Sequence, residues 1–216
     1  FPNNNQYYPA ITALDGGGFV VTWYSFDAQQ PEDQSGTAIK ARIFDAAGNL
    51  VGDSLTGDEG ANTIIGLGAD DTLIGLGGDD SLLGGLGDDI LNGGLGADIL
   101  TGGDGGDTFL YTDIGEADDI ITDFDVSLDG NSDDDQIDIG ALLDAAFGGS
   151  GDEVSAASVE NYVRVTESGS DAVISINADG AGTDWQDVAT LSGVSMGETI
   201  KVVVDEDGSY ADVAVA

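Results

Sequence analysis

The chain has 216 residues, and its 42 acidic residues against 4 Lys and Arg give a formal net charge of −38. Such a charge makes contact with nucleic-acid phosphate or anionic lipid unfavourable and points to cations as partners. No Cys is present to form a disulfide, and no long apolar run predicts membrane insertion. A hydrophobic content of 41% argues against a wholly disordered chain.

Residues 1–55 predict a small antiparallel β-sheet. Strand-like runs occupy Ala10–Leu14, Phe19–Ser25 and Ala38–Phe44, with a turn at Ala46–Asn49. Three or four strands are barely enough for independent stability, so the sheet is expected to pack on something, such as neighbouring copies in a longer parent chain. The opening FPNNNQYYPA lacks an initiator Met and a signal-peptide pattern, which predicts a processed or trimmed piece.

A nine-residue repeat begins at Gly57 and ends at Leu110. Its six units are GDEGANTII, GLGADDTLI, GLGGDDSLL, GGLGDDILN, GGLGADILT and GGDGGDTFL. The sixth positions are Asn62, Asp71, Asp80, Asp89, Asp98 and Asp107, and the eighth positions are Ile64, Leu73, Leu82, Leu91, Leu100 and Phe109. A flexible Gly-rich linker would lack the apolar column, so the pattern predicts an ordered solenoid.

Each unit is predicted to form a six-residue turn and a three-residue strand. If two units make one coil of a flattened right-handed parallel β-roll, units eighteen residues apart stack about 4.8 Å apart. The eighth-position side chains then form a thin core. The sixth-position residues line both edges, with Asp71, Asp89 and Asp107 on one edge and Asn62, Asp80 and Asp98 on the other.

The stacked carboxylates predict a calcium requirement. Carboxylates about 5 Å apart repel by roughly 3 kcal/mol at an effective dielectric near 20, so the roll is not expected to form without a cation. Oxygen ligands suit Ca²⁺, whereas Zn²⁺ would need His or Cys. Same-edge neighbours predict about four sandwiched ions, with others at the roll ends, in the pairs Asn62/Asp80, Asp80/Asp98, Asp71/Asp89 and Asp89/Asp107. The first pair should be the weakest because Asn62 has no charge.

Other acids are more ambiguous. The fifth-position residues Asp70, Asp79 and Asp88 could ligate or face water, and we favour solvent. The run DGNSDDDQID at 129–138 has the acidic spacing of an EF-hand start but lacks the required Gly and Glu, so we interpret it as an acidic turn.

Residues 111–216 predict more strands. The alternating segments are Asp119–Phe124, Tyr162–Thr166, Ala172–Asn177, Val188–Leu191 and Lys201–Val204, with a hairpin turn at Glu167–Asp171 and a helical turn at Ala141–Phe147. The predicted fold is therefore all-β. It has an N-terminal antiparallel β repeat at 1–55, a parallel β-roll at 56–112 and a β-rich C-terminal cap at 113–216.

The units GGLGDDILN and GGLGADILT resemble the GGxGxDxUx repeat of RTX proteins. The resemblance implies that calcium is held by the sixth-position Asp side chains and by the carbonyls of Gly85, Gly87, Gly94, Gly96, Gly103 and Gly105. Residues 107–124 resemble the post-repeat sequence of that family, which implies that Asp119 and Asp123 close the last coil. Asn62, Ala69 and the GLG openings of units two and three depart from the pattern.

The flanking regions carry looser resemblances. NYVRVTESGSDAVISINADG and DVATLSGV resemble the C-terminal target domain of large type I secretion substrates. This implies a protein of a Gram-negative bacterium, exported through the type I machinery and folding on extracellular calcium. Residues 9–52 resemble a tandem β repeat of large bacterial surface proteins.

These features favour a secreted calcium-binding structural module, the C-terminal part of an adhesin-like or matrix surface protein. One alternative is a self-assembling filament or surface-layer subunit that joins copies through the edges of the N-terminal sheet. Another is the non-catalytic tail of a secreted hydrolase. The chain has no His, hence no HExxH zinc site and no His general base, so no enzyme activity is predicted.

Overall fold

The computed structural model describes residues 6–14, 18–26, 37–48, 50–126, 134–147, 159–177, 184–195, 197–204 and 210–216. The chain divides into two compact units, Phe1–Asp53 and Ser54–Ala216. The described residues are mainly strand and turn, with one α-helix, α1 (Gly140–Phe147), and a 3-10 turn at Val159–Asn161. Within these ranges no helix is long and apolar enough to cross a membrane.

The first unit contains the predicted antiparallel sheet. Its strands are β1 (Gln6–Ala13), β2 (Phe19–Phe26) and β3 (Thr37–Phe44), in the order β1-β2-β3. The ring of Phe19 stacks on that of Phe44, with centroids 4.9 Å apart, at the position where β2 and β3 begin to pair. A turn follows β3, as predicted, in which the Gly48 N–H donates to the Asp45 carbonyl.

The second unit begins with a parallel β-roll. One sheet contains β4 (Ser54–Thr56), β6 (Thr72–Ile74), β8 (Ile90–Asn92), β10 (Thr108–Leu110) and β12 (Gln136–Asp138). The other contains β5 (Thr63–Ile65), β7 (Ser81–Leu86), β9 (Ile99–Asp104) and β11 (Asp119–Ile121). Successive repeat strands alternate between the sheets, and parallel partners within the repeats lie eighteen residues apart, as in Leu73 with Leu91. The predicted coil of two units is confirmed.

The core of the roll consists of two apolar columns, one from each sheet. Register places Leu55, Leu73, Leu91, Phe109, Ile137 and Val202 in one column. It places Ile64, Leu82, Leu100, Ile121 and Leu191 in the other. All but the partly buried Leu55 are buried, because successive residues of a strand point to opposite faces of the sheet and these positions share the inward face.

The C-terminal strands extend the same two sheets. They are β13 (Val163–Ser168), β14 (Asp171–Ile176), β15 (Gln186–Leu191), β16 (Thr199–Val203) and β17 (Tyr210–Ala214). β15 pairs in parallel with β11, and β16 pairs in parallel with β12. The antiparallel strands β14, β13 and β17 then complete two sheets of seven strands. The columns of the roll therefore continue into this region without a break.

Two expectations for this region need correction. The last three residues of the supposed acidic turn at 129–138 form strand β12, while 129–133 lie outside the described residues. Strand β17 was not predicted. The other predicted strands, the hairpin turn at Glu167–Asp171 and the short helix are present.

Candidate metal centre

The sixth-position residues form two rows along the edges of the roll. The Asn62 row contains Asn62, Asp80 and Asp98, and the Asp71 row contains Asp71, Asp89 and Asp107. In each row the backbone N–H of one member donates to the Oδ1 of the member eighteen residues later, over 2.6–2.9 Å. The five aspartates are at most 2% exposed. The predicted arrangement of the two edges is thus present.

The second carboxylate oxygen of these aspartates is buried in the turn. Oδ2 of Asp80, Asp89, Asp98 and Asp107 is buried and accepts no hydrogen bond from any described residue. A Cβ added to Gly75 would lie 2.2 Å from Asp80 Oδ2 and 2.3 Å from the Gly93 carbonyl oxygen. Only glycine fits at this position, and a carboxylate oxygen and a carbonyl oxygen of the next coil face the same point.

Electrostatics make these carboxylates costly to ionise. Burial, with a smaller contribution from neighbouring carboxylates, raises the pKa of Asp89 and Asp98 to about 6 and that of Asp107 to about 7. The pKa of Asp80 is also raised, first by burial. Residues 50–126 contain no Lys, Arg or His, so no protein cation lies within this stretch. The rows must therefore be protonated or hold a bound cation.

The donor atoms fit calcium. They are carboxylate and carbonyl oxygens, which a hard cation prefers. Among the described residues no three acidic side chains converge on one point. Carbonyls would therefore supply the balance of the ligands, and the first-position glycines Gly84, Gly93 and Gly102 place theirs beside Oδ2 atoms. Sequence reasoning missed these carbonyls, although the invariant first-position Gly was a signal.

The glycines named from the family resemblance have a second, structural role. Gly85, Gly87, Gly94, Gly96, Gly103 and Gly105 all have φ between +90° and +142°. Each packs directly on the backbone of the preceding coil; a Cβ on Gly94 would lie 2.2 Å from the Leu76 carbonyl oxygen. These glycines allow the coils to stack closely, and whether their carbonyls also ligate remains a prediction.

The second and third units depart from this pattern at three positions that lack glycine. Leu67, Ala69 and Leu76 occupy the same turn positions with φ of +90°, +76° and +82°. A side chain in this conformation costs roughly 1–2 kcal/mol. The GLG openings and Ala69 therefore keep the fold of the turn but strain its backbone.

The fifth-position acids Asp70, Asp79 and Asp88 are exposed, in agreement with the solvent-facing interpretation. Each accepts one backbone N–H from the following coil, those of Asp88, Ala97 and Gly106, respectively, over 3.0–3.2 Å. This outer row thus connects coils in the direction opposite to the buried rows.

The residues expected to close the roll differ in their contacts. Asp119 is 1% exposed, its Oδ1 accepts the Asp98 N–H over 2.9 Å, and its Oδ2 is buried. Burial raises its pKa to about 7. Asp123 instead receives the N–H groups of Gly102 and Gly103, each over 3.0 Å, so both of its oxygens are engaged. Asp119 continues a row, whereas Asp123 accepts backbone N–H groups of strand β9.

At the other end, the Asn62 side chain turns back on its own unit. Its Oδ1 accepts the Asp58 N–H over 2.7 Å, while its backbone N–H donates to Asp80. This contact and the missing charge leave the first pair of the Asn62 row with fewer anionic oxygens than the others.

The structure also places one residue in a row that sequence reasoning missed. Asp135 is 4% exposed, and its Oδ1 accepts the Asp107 N–H over 2.8 Å. The sequence DDQID at 134–138 matches positions five to nine of the repeat, but a spacing of 28 residues from Asp107 hides the period.

A serine pattern outside the roll was also overlooked. Residues 193–197 read GVSMG, which fits the G-x-S-x-G pattern of a nucleophile elbow. The elbow requires a turn from strand to helix, whereas this segment connects strands β15 and β16. Ser195 is exposed and bonds Glu198, and the chain has no His to serve as its base. The geometry is not that of a nucleophile.

Comparison with known proteins identifies the repeats. The profile of the RTX calcium-binding nonapeptide repeat (4 copies) matches residues 48–82 and 74–109. The chain is similar to the solution structure of the AlgE6R2 subunit of the Azotobacter vinelandii mannuronan C5-epimerase, with 25% identity over 65% of this chain and 84% of that one and a TM-score of 0.45. The AlgE6R3 subunit of the same enzyme gives 31% identity, coverage of 66% and 71%, and a TM-score of 0.36. No curated protein matches the chain in sequence.

Proposed function

Because residues 48–109 belong to the RTX calcium-binding nonapeptide repeats, we propose that this chain is a secreted structural module that folds when it meets extracellular calcium. The observation that carries the proposal is the set of buried Oδ2 atoms without a hydrogen-bond donor. Desolvated, unpaired carboxylates strongly oppose folding, and Ca²⁺ between the coils converts that penalty into an attraction.

Calcium concentration then acts as the folding signal. An ion that binds only the folded state stabilises it by about 4 kcal/mol per site at 1,000 times its dissociation constant. Several such sites exceed the stability of a typical small domain. The chain would therefore stay unfolded at low calcium and fold in the millimolar calcium outside a cell.

The proposed extracellular location of the protein is supported by the calcium dependence of folding and by the sequence resemblances. We assign residues 113–216 as the cap and target region for type I export, and residues 1–55 as one β repeat of an adhesin-like or matrix protein on the surface of a Gram-negative bacterium. The charge of −38 is consistent with a calcium-rich exterior, where bound cations reduce self-repulsion.

Circular dichroism tests the coupling. In a calcium-stripped buffer at pH 7.5 the roll should be disordered, and the far-UV spectrum should show this. Addition of Ca²⁺ should restore a β signal, whereas Mg²⁺ at the same concentration should not. Identical spectra with and without calcium would refute the proposal.

Self-assembly through the first unit is the second candidate. Within the described residues, β1 pairs only with β2, and Ile11 on this edge strand is 70% exposed. Such an edge can pair with another chain. Light scattering in millimolar Ca²⁺ should then show a concentration-dependent mass; a monodisperse monomer would count against this candidate.

A further inference from the structure

The Asp71 row does not end with the last complete repeat. Strand β12 pairs in parallel with β10, with Phe109 opposite Ile137, just as Leu91 lies opposite Phe109 one coil earlier. The contact between Asp107 and Asp135 repeats the contact between Asp89 and Asp107, with distances of 2.8 and 2.9 Å. Residues 134–138 therefore form the second half of one more repeat.

The coil before Asp135 contains a buried carboxylate oxygen, Asp107 Oδ2, to which no described residue donates a hydrogen bond. Asp89 Oδ2 lies 2.2 Å from a Cβ built on Gly84, a point that also lies 2.6 Å from the Gly102 carbonyl of the next coil. Asp107 Oδ2 takes the same position against Gly102, at 2.1 Å. Asp107 is fully buried, and this oxygen accepts no hydrogen bond from a described residue. The backbone N–H of the same Asp107 donates to Asp135 Oδ1 over 2.8 Å, so the next carboxylate of the row is Asp135.

We propose that Asp107 and Asp135 hold an additional Ca²⁺ ion, which joins the repeats to the C-terminal strands. Two carboxylates bring the same charge here as at the Asp89/Asp107 pair. The inference rests on the proposed function, since it assumes that the other pairs of the row bind calcium. Asp135 is held in place by a second contact, because its Oδ2 accepts the Asp125 N–H over 2.8 Å. Asp135 Oδ1 accepts the Asp107 N–H and so occupies the place that Asp107 Oδ1 has one coil earlier, where it accepts the Asp89 N–H.

The ion would link parts of the chain that are remote in sequence. Asp135 lies 28 residues after Asp107 in the sequence. Strand β12, which begins at the next residue, pairs with both β10 and β16. A cation at this point fastens the first repeat-like coil of the C-terminal region onto the roll. Loss of calcium would then release both parts together rather than the repeats alone.

Native mass spectrometry on the full chain at saturating Ca²⁺ tests the assignment. Asp135→Asn keeps an acceptor for the Asp107 N–H but loses the charge, and it should bind one ion fewer than the wild type. Asp88→Asn is the matched control, because Asp88 is an exposed fifth-position residue whose Oδ1 accepts the Gly106 N–H over 3.0 Å. It should retain the wild-type ion count.

The outcomes separate the two proposals. If the wild type folds on calcium and Asp135→Asn binds the same number of ions, the additional site is refuted while the proposed function stands. If the wild type binds no calcium, both fail. Should Asp135→Asn not fold, the wild-type count decides. The pairs of both rows, including Asp98/Asp119 and Asp107/Asp135, predict six ions, and five or fewer would overturn the inference.

Discussion

The early and late turns of the roll share one backbone path but differ in how well their residues suit it. The early turns, Gly66–Asp71 and Gly75–Asp80, force Leu67, Ala69 and Leu76 into left-handed conformations. The late turns, Gly84–Asp89, Gly93–Asp98 and Gly102–Asp107, have glycine at the same positions. The carboxyl pKa also rises along the chain, to about 6 at Asp89 and Asp98 and to about 7 at Asp107. The late turns thus combine the least strain with the greatest need for a cation.

The largest expected effect follows removal of a shared charge in a late turn. Asp89 borders two predicted ion pairs, so Asp89→Asn should weaken two sites and lower the free energy of unfolding in calcium by about 4 kcal/mol or more. The calcium midpoint of the circular dichroism signal should rise at least tenfold. Asp70→Asn, at an exposed fifth position, should shift it less than twofold. Equal shifts in the two variants would contradict the buried-row assignment.

Placing an early-turn residue in a late turn should be the next most disruptive change. Gly94 and Leu76 occupy the same position one coil apart, with φ of +90° and +82°. Gly94→Leu should destabilise the calcium-bound chain by at least about 2 kcal/mol, from left-handed strain and from the clash with the Leu76 carbonyl. Urea unfolding in saturating Ca²⁺ measures this. A neutral result would mean that the glycines of the late turns are dispensable.

Acidity should partly replace calcium. Folded-state pKa values raised above the usual 3.8 favour the protonated folded chain, so this stabilising contribution is complete below about pH 4 and is lost as the pH rises through 6 to 7. In calcium-stripped buffer the β signal should therefore increase as the pH is lowered from 8 to 4, and the calcium midpoint of the circular dichroism signal should fall over the same range, because protonation of the buried carboxylates already favours the folded chain. A metal-free chain that gains β structure as the pH rises would contradict the assigned burial.

The smallest expected effect is a gain in stability when a strained residue of an early turn is replaced by glycine. Leu76→Gly should relieve the strained conformation and raise the free energy of unfolding by about 1 kcal/mol, reduced by the greater entropy of glycine in the unfolded chain. Leu83→Gly is a matched control, because Leu83 is an exposed leucine on strand β7 and should lose stability. Destabilisation in both variants would show that the early turns are not strained.

Sequence reasoning succeeded where the period of nine residues persists. The eighth-position column from Ile64 to Phe109 and both edge rows follow from simple alternation, and the structure contains them. It failed where insertions break the period, because Asp135 continues the Asp71 row only after 28 residues. It also failed for the first-position carbonyls, since no side-chain pattern reports where a backbone oxygen points, and for β17, whose register depends on β16.

The buried contacts between coils have a direction. The carboxylates of Asp80, Asp89, Asp98 and Asp107 each accept a backbone N–H of the preceding coil, so these buried contacts make each coil depend on the one that follows it in sequence. The last acceptors of the two buried rows are Asp119 and Asp135, at the carboxyl end of the roll. Deleting coils from the amino end should leave the remainder intact, whereas removing the carboxyl end should unravel the whole roll. Further coils can therefore be added at the amino end of such a roll without changing the residues that close it at the carboxyl end.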